Sequence, residues 1–486
     1  MRGAILRGRG LPAACALTLT ALAVALLLMS APALTALALT ASAHADYDKA
    51  YAIGLEAYTY GLPLLETNKT FLAMTSINVS NGTGFGPVNQ FNNVSSLNNP
   101  GSTAVVAPGS NGLSSIAWLD LRAQPQVLHV PTVKGHYFVL GFIDPYTENL
   151  VNLGSVSDTK PGSYVICAPG QHHVRIPTGT HRIDVDATRI WIVGSTQLKG
   201  PDDVAAVDRI QDGYTLTPLS RFGTGWQPQP PAQPQTTVTQ YQIPGGLQFF
   251  DQLGQLLQQF PPPARDRAAL RRFAEVGIGP GMTPSKDPRL SPYTLRGLQD
   301  AVTDGPQQIA TDEQDIFLSD FDKHDGYLLG GFGRYGTDYR LRAVVSQIGL
   351  GAFASSQTIF ATTSTDHSRQ PLSGSTDYVL HLPSAPPVNE GWSLTVYTLQ
   401  GFLISNPIDR YELSDTSSLA RNADGSVDIY LQSSQPVDPA KAQNWLPTAA
   451  GQGFEVMWRL LAPKPGQLPG ILDGSGWQPP AISAAR

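Results

Sequence analysis

Between residues 46 and 75 apolar side chains return at helical spacing, with Tyr51, Leu55 and Tyr58 sharing one face. Gly61 and Pro63 then predict a break, after which Pro63 can open a second short helix. Residues 78–115 are rich in Asn, Gly and Ser and read as a long polar connection. From Val127 the pattern changes to short apolar runs separated by turns. It predicts strands over Gln126–Val130, Tyr137–Asp144, Tyr164–Ala168, His173–Pro177, His181–Asp186 and Arg189–Thr196. Polar and apolar residues alternate from His181 to Asp186, as in a sheet with one wet face. Gly, Pro and Gln dominate 223–236, a linker or an exposed loop.

Helical spacing returns with Phe249, Phe250, Leu253, Leu256, Leu257 and Phe260. Pro261–Pro263 ends that helix and starts another, in which Leu270, Phe273 and Val276 form the stripe and Gly277 the C-cap. Ser291 followed by Pro292 predicts a capped helix start, with Leu295, Leu298 and Val302 as its buried face. From Tyr378 strands return over Tyr378–Leu382, Trp392–Thr398, Gly401–Ser405, Val427–Gln432 and Phe454–Leu461. Asn422-Ala423-Asp424-Gly425 has the composition of a hairpin turn. One echo links the two strand-rich regions: Val127-Leu128-His129-Val130-Pro131 returns as Val379-Leu380-His381-Leu382-Pro383, each followed by an aromatic-rich strand. In each copy the His shares a strand face with the Val two residues before it, which suits a hydrogen-bonded core or interface residue.

Composition narrows the function classes. Charged residues make up only 14% of the 486 residues, against roughly a quarter in an average domain, while 41% are apolar. The chain is too apolar for disorder. Its net charge of −6 gives no electrostatic footprint for nucleic acid. Arg2, Arg7 and Arg9, an uncharged stretch from Leu11 to Thr40, and Ala43-His44-Ala45 before Asp46 have the layout of a secretory leader cut after Ala45. The alternative for the same segment is a retained anchor. No other stretch reaches the ~18 apolar residues of a spanning helix, so the expectation is a secreted or cell-envelope protein with no membrane span once the leader is removed. Cleavage also removes Cys15. Cys167, in the apolar run from Tyr164 to Ala168, is then the one cysteine left and reads as a buried structural thiol.

The search for chemistry finds no Gly-x-Ser-x-Gly elbow, no zinc-binding His-Glu-x-x-His, no phosphate loop and no dinucleotide fingerprint. His172, His173 and His181 come nearest to a metal cluster, but neighbours on a strand point to opposite faces, so neither a metal nor a cofactor is expected. Asp202-Asp203 reads as the cap of a helix starting near Val204. Four groups at strand ends combine an acid, amide or guanidinium with an aromatic: Trp118 with Asp120, Asp144 with Tyr146, Arg410 beside Tyr411, and Asn444 with Trp445. Such ends are where β-domains build ligand sites. The competing reading is structural: Asp and Asn hold turns, Arg pairs with an acid, and Trp fills a core edge.

These segments carry a family resemblance. Trp118-Leu119-Asp120-Leu121, the strand into Asp144, and the run from Gln211 to Leu219 resemble the bacterial family called domain of unknown function 1254. The run from Trp392 to Tyr397, Asn406-Pro407, Arg410-Tyr411, the turn from Asn422 to Ser426, the run from Asn444 to Pro447 and the closing run from Trp477 to Pro480 resemble its companion, domain of unknown function 1214. The resemblance implies a mainly β fold with helical segments (α+β), two β-sandwich-like domains joined by a helical region. The expected boundaries are a leader at 1–45, an N-terminal β-rich domain with leading helices at 46–235, a helical connection at 236–345 and a C-terminal domain at 346–486. Against the family pattern, Arg-Asp-Thr-Leu-Tyr-Ser is replaced by the run from Ser110 to Ser115, and Gly-Arg-Thr by Gly194-Ser195-Thr196. Ser110, Asn111, Ser114 and Ser195 thus stand where the family carries two guanidiniums, an acid and a phenol, groups able to stabilise charge or move protons. Two functions follow as expectations. The first is an exported protein that binds a small-molecule or carbohydrate-type ligand. The second is an exported hydrolase or lyase with its site between the domains, drawing on Asp120, Asp144, Tyr146, Arg410 and Asn444.

Overall fold

The structure, a computed structural model, describes residues 13–103, 107–329 and 332–485, and the side chains of its first helix from Ala43 onward. Residues 1–12 of the leader expected at 1–45 lie outside the described residues. Among the described residues no helix is long and apolar enough to cross a membrane. The first helix, α1, spans Ala13–Met74. It runs straight through Gly61 and Pro63, where the sequence predicts a break. Packing explains the difference: a β-carbon on Gly61 would lie 2.6 Å from Leu253, so glycine lets the opposing helix approach. Leu62, Leu64 and Leu65 are buried around Pro63, which outweighs the ~3 kcal/mol a helix-interior proline costs.

The first β region contains β1 (Asn92–Asn93), β2 (Gly112–Asp120), β3 (Gln126–Val130), β4 (Phe138–Ile143), β5 (Asn149–Gly154), β6 (Gly162–Cys167), β7 (Thr180–Asp184), β8 (Arg189–Gln197), the helix α2 (Val204–Gly213) and β9 (Thr215–Pro218). They form a five-stranded sheet, β1-β2-β8-β4-β5, and a four-stranded sheet, β7-β6-β3-β9. The sheets pack face to face through residues that alternate along each strand, among them Ala117, Leu119, Leu128, Leu140, Ile166 and Ile192.

A helical block follows: α3 (Leu247–Gln259), α4 (Arg267–Ala274), α5 (Pro292–Lys323) and α6 (Tyr339–Ile348). Ser291 caps α5 by accepting from the Thr294 amide, and Gly277 follows α4 at φ 81°. The leading helix α1 packs within this block, through Tyr58, Leu62 and Leu65 against Phe249, Leu253, Leu298 and Val302. Gly305 on α5 allows the ring of Tyr58 to lie where a β-carbon would be only 2.5 Å away.

The second β region contains β10 (Leu328–Leu329), β11 (Thr358–Thr363), β12 (Tyr378–Leu382), β13 (Val388–Thr398), β14 (Glu412–Ser414), β15 (Val427–Gln432), α7 (Pro439–Gln443), β16 (Trp445–Pro447), β17 (Phe454–Pro463), α8 (Leu468–Asp473) and β18 (Ile482–Ala484). Its sheets run β10-β11-β17-β13-β14 and β16-β15-β12-β18. Adding nine to every strand number of the first sandwich reproduces the second. The correspondence extends to the parallel pairs, β6 with β7 and β15 with β16, and to a helix before each last strand. The echoed His129 and His381 segments are β3 and β12, at the same place in the two halves. Both histidines are exposed, so neither is the core residue expected, although His381 does bond Asp428.

Three sequence-predicted details differ. Residues 173–177 are turns and coil, since they must bridge the parallel pair β6 and β7 rather than add a strand. Residues 401–405 contribute a single bridge, Leu403 to Tyr397. The turn at 422–425 precedes β15, which pairs with β12 and β16, so it joins no hairpin. Cys167 is a buried free thiol, and burial raises its pKa. Gly305→Val is expected to lower unfolding stability in urea by about 1–3 kcal/mol through overpacking against Tyr58; an unchanged midpoint would show that the α1–α5 contact is loose.

Candidate functional site

The alternation that points Ala117 and Leu119 into the first core points Ser114, Ile116 and Trp118 outward from β2. In the second sandwich Trp392, Leu394 and Val396 point inward along β13, leaving Ser393, Thr395 and Tyr397 on the outer face. These two outer faces meet. Tyr137 and Val139 touch Leu461 and Ala462, with Phe353 at the margin, and the Tyr137 hydroxyl donates to the Gln357 carbonyl at 2.9 Å.

Beside this contact, residues 107–110 of the first half are gripped by the second. Arg459 donates to the Ala107 carbonyl at 2.8 Å, to Thr395 Oγ1 at 3.0 Å and to the Tyr397 hydroxyl at 2.5 Å. The Tyr397 hydroxyl in turn donates to the Pro108 carbonyl at 2.9 Å. Ser110 Oγ donates to Glu412 Oε2 at 2.7 Å. Arg459 is buried, and its own three bonds compensate its desolvation.

Next to the grip lies a cleft of about 660 Å³. The first half contributes Asn98, Asn99, Ser110, Asn111 and Lys199 to its lining, and the second Asp409, Arg410, Tyr411, Glu412, Ser414 and Ser417. A smaller recess of about 160 Å³ adjoins it at Asn98 and is lined by Ser114, Ser195, Tyr137, Thr358 and Arg459. Of the four substituted positions, Ser110 and Asn111 line the cleft and Ser114 and Ser195 line the neighbouring recess. Burial pushes the Glu412 carboxyl up to about 7. The Ser110 hydroxyl and the Arg459 charge oppose that rise, and Asp415 adds to it. A carboxyl poised near neutrality can hold or release a proton in response to a ligand.

Two family models match the chain. That of "Protein of unknown function (DUF1254)" covers residues 88–218, the whole first sandwich, and that of "Protein of unknown function (DUF1214)" covers 357–465, from β11 through β17. The chain carries DUF1254 followed by DUF1214. The VPA0106 protein from Vibrio parahaemolyticus, known from a crystal structure, shares the fold at a TM-score of 0.65 and 20% identity, covering 90% of this chain and 100% of that one. An uncharacterized protein from Burkholderia cenocepacia aligns at a TM-score of 0.41 and 11% identity over 92% of this chain and 95% of its own. No curated protein matches the chain.

The strand-end residues singled out from sequence fall at several places in the DUF1254 and DUF1214 regions. Trp118 stacks on Trp191, centroids 4.8 Å apart, with the edge of Phe71 against it, and joins the DUF1254 sheet to α1. Asp120 is held by Arg122, whose hydrogen bond lowers its pKa. Asp144 and Tyr146 sit in a buried turn: Asp144 Oδ1 accepts from the amides of Tyr146 and Glu148, and the Tyr146 hydroxyl donates to the Phe260 carbonyl. Burial pushes Asp144 up to about 7. This turn docks the DUF1254 sandwich on the helical block, where the buried Arg342 lies among the rings of Tyr60, Tyr146 and Tyr339, and Asp266 accepts from Tyr60 and Tyr339.

In the DUF1214 region Asn444 spends its amide on Ala420 and Asp428 backbone groups, and the Trp445 indole N–H donates to Gln432. Both pin loops. Arg410 donates to the carbonyls of Ala442, Gln443 and Trp445 and also lines the cleft, so of the seven it alone reaches that space. Trp118 and Asp120, Asp144 and Tyr146, and Arg410 with Asn444 and Trp445 form three separate groups. Glu412, Tyr397 and Arg459 were not singled out, although a lone Arg inside the apolar run Phe454–Leu461 is a visible signal. Among the described residues no group of three or more His, Cys, Asp or Glu could hold a metal.

The raised carboxyl has a measurable sign. Folded Glu412 binds its proton more tightly than the unfolded chain, so its contribution to stability is full below about 4.5 and is lost as pH rises to about 7. Glu412→Gln is expected to melt like the parent at pH 4 and to be the more stable at pH 8, by at most about 3 kcal/mol. Equal pH dependence of the two melting curves would mean that the carboxyl is not perturbed.

Proposed function

We propose that the cleft between the sandwiches binds a small, uncharged, polyhydroxylated ligand of carbohydrate type, in the cell envelope or outside the cell. The observation that carries this reading is the lining: amides and hydroxyls from both halves (Asn98, Asn99, Ser110, Asn111, Ser414 and Ser417) converge on about 660 Å³ beside the ring of Tyr411, and its charged side chains are matched in sign, Lys199 and Arg410 against Asp409 and Glu412. Amides and hydroxyls both donate and accept, which matches vicinal hydroxyl groups, and an aromatic face covers a sugar ring's C–H surface. The volume lies within the ordinary range of ~300–1,000 Å³ for ligand sites. Serine and asparagine in place of the family's charged residues at Ser110, Asn111, Ser114 and Ser195 favour a neutral ligand over an ion. The expected leader at 1–45, ahead of a first sandwich, a helical connection and a second sandwich, supports export.

One observation favours a second reading, a hydrolase or lyase. The Glu412 carboxyl, near neutral pKa inside the cleft, suits a proton donor to a leaving oxygen.

Calorimetric titration of the full chain against neutral mono- and disaccharides tests the first reading. Binding is expected, weakened at least ten-fold, about 1.4 kcal/mol, by Tyr411→Ala and by Asn111→Ala. Absence of heat or of thermal stabilisation across the panel would refute it. Turnover of aryl glycosides or esters that disappears in Glu412→Gln would replace it with the second.

A further inference from the structure

The doubled fold allows one half to be compared with the other at the same strand positions. On the four-stranded sheet of the second sandwich, His381 of β12 lies opposite Asp428 of β15. Its Nδ1 is 2.7 Å from Asp428 Oδ1. The equivalent pair in the first sandwich is His129 of β3 opposite Ser163 of β6. An acid that meets the histidine in one half is a hydroxyl in the other. On its far side His129 lies opposite Thr215 of β9, so Ser163, His129 and Thr215 form one row across three strands.

The chain then covers this row. Beyond β9 it carries Arg221, Phe222 and Trp226 over the same sheet face, turning at Gly223 and Gly225 with φ of 78° and 72°. The result is a groove of about 250 Å³ lined by His129, Ser163, Thr215, Arg221, Phe222 and Trp226, with no carboxylate in its lining. Among the described residues no hydrogen bond or ion pair engages the side chains of His129, Ser163, Thr215 or Arg221. In a chain with 38 acidic residues against 32 basic ones, a guanidinium and an imidazole share a groove without an acid.

We propose that this groove binds a carboxylate-bearing small molecule, whose carboxylate takes beside His129 the place that the Asp428 side chain takes beside His381. The site lies on the outer face of the four-stranded sheet, away from the inter-sandwich cleft, and does not depend on how that cleft is used. Arg221 supplies a planar fork of N–H donors that matches a carboxylate. Ser163 and Thr215 donate hydroxyls to the remaining lone pairs, and His129 adds a ring N–H. Phe222 and Trp226 give the rest of the ligand an aromatic wall. The volume suits a molecule with a single ring, such as a uronic acid or an aromatic acid.

The test is calorimetric titration of the full chain at low salt with glucuronate and benzoate, their neutral counterparts glucose and benzyl alcohol, and inorganic phosphate. At least one of the two acids is expected to bind, and its neutral counterpart at least ten-fold more weakly. Arg221→Gln should weaken the acid at least ten-fold. Ser163→Asp places the second half's own carboxylate beside His129 and should abolish binding while the melting curve and circular dichroism stay those of the parent. Should Ser163→Asp unfold, Thr215→Glu, on the exposed neighbouring strand, provides the same block. The proposal fails if neither acid binds, if phosphate binds and the acids do not, or if Arg221→Gln and the blocking variant bind the acid like the parent.

Discussion

The separation of the two sandwiches is set by one dry contact, Tyr137 and Val139 against Leu461 and Ala462. Burying these side chains is what brings the outer faces of the two large sheets together. Around the contact both faces mix polar with apolar groups: Ser114 and Ser195 beside Val193 on one side, Thr358 and Arg459 beside Phe360 on the other. Closing them further would strand donors and acceptors away from water, at a cost of several kcal/mol per unpaired group. The apolar contact and the polar margins together hold a cleft open. The hold of Arg459 and Tyr397 on the backbone of residues 107–108 keeps one wall in place.

The two halves share a strand order but not a surface. Strand order depends on inward-facing alternation and on short connections, and those are kept in both copies. Outward positions answer to whatever lies over them. In the first half the large sheet's outer face meets α1 at one end, through Trp118, Trp191 and Phe71. Arg189 continues that attachment, lying over the rings of Phe71 and Phe260 while donating to Asn68. In the second half the same sheet's outer face instead carries Tyr397 and Arg459, which hold the backbone of residues 107–108. One architecture has thus been fitted to different neighbours by changing residues that the cores do not see.

The β-rich regions and the intervening helices were legible because their patterns are strong: the runs at 126–130, 189–196, 378–382 and 427–432 are short, rich in apolar residues and separated by turns, and the stripe from Phe249 to Phe260 keeps helical spacing. Strands such as Asn149–Gly154 and Glu412–Ser414 were missed, being short, polar and stabilised by sheet neighbours rather than by their own composition. The helix through Pro63 was missed because a tertiary contact overrides the local penalty. Of the cleft, Arg410 and the serines and asparagine at the substituted positions could be named in advance. Glu412, Tyr397 and Arg459 could not be brought together, since they sit on three neighbouring strands of one sheet, β14, β13 and β17, whose order and register the local pattern does not reveal. The strand-end pairs admit two readings for a plain reason: Asp144, Asn444 and Trp445 satisfy backbone groups at turns, which needs the same residue types as a binding site does.

Helix α1 has a consequence for how the polypeptide matures. Tyr47 and Tyr51 bond Asp300 and Asp304 on α5, 253 positions further along. At roughly 5–20 residues per second, a ribosome needs on the order of 10–50 s to add that stretch. For that interval the Tyr47–Tyr51 end of α1 lacks its partner on α5, while the first sandwich, complete by Pro218, can already close and take up Phe71 near the helix's other end. The two ends of one helix are therefore buried at different times, the Phe71 end before the Tyr47 end.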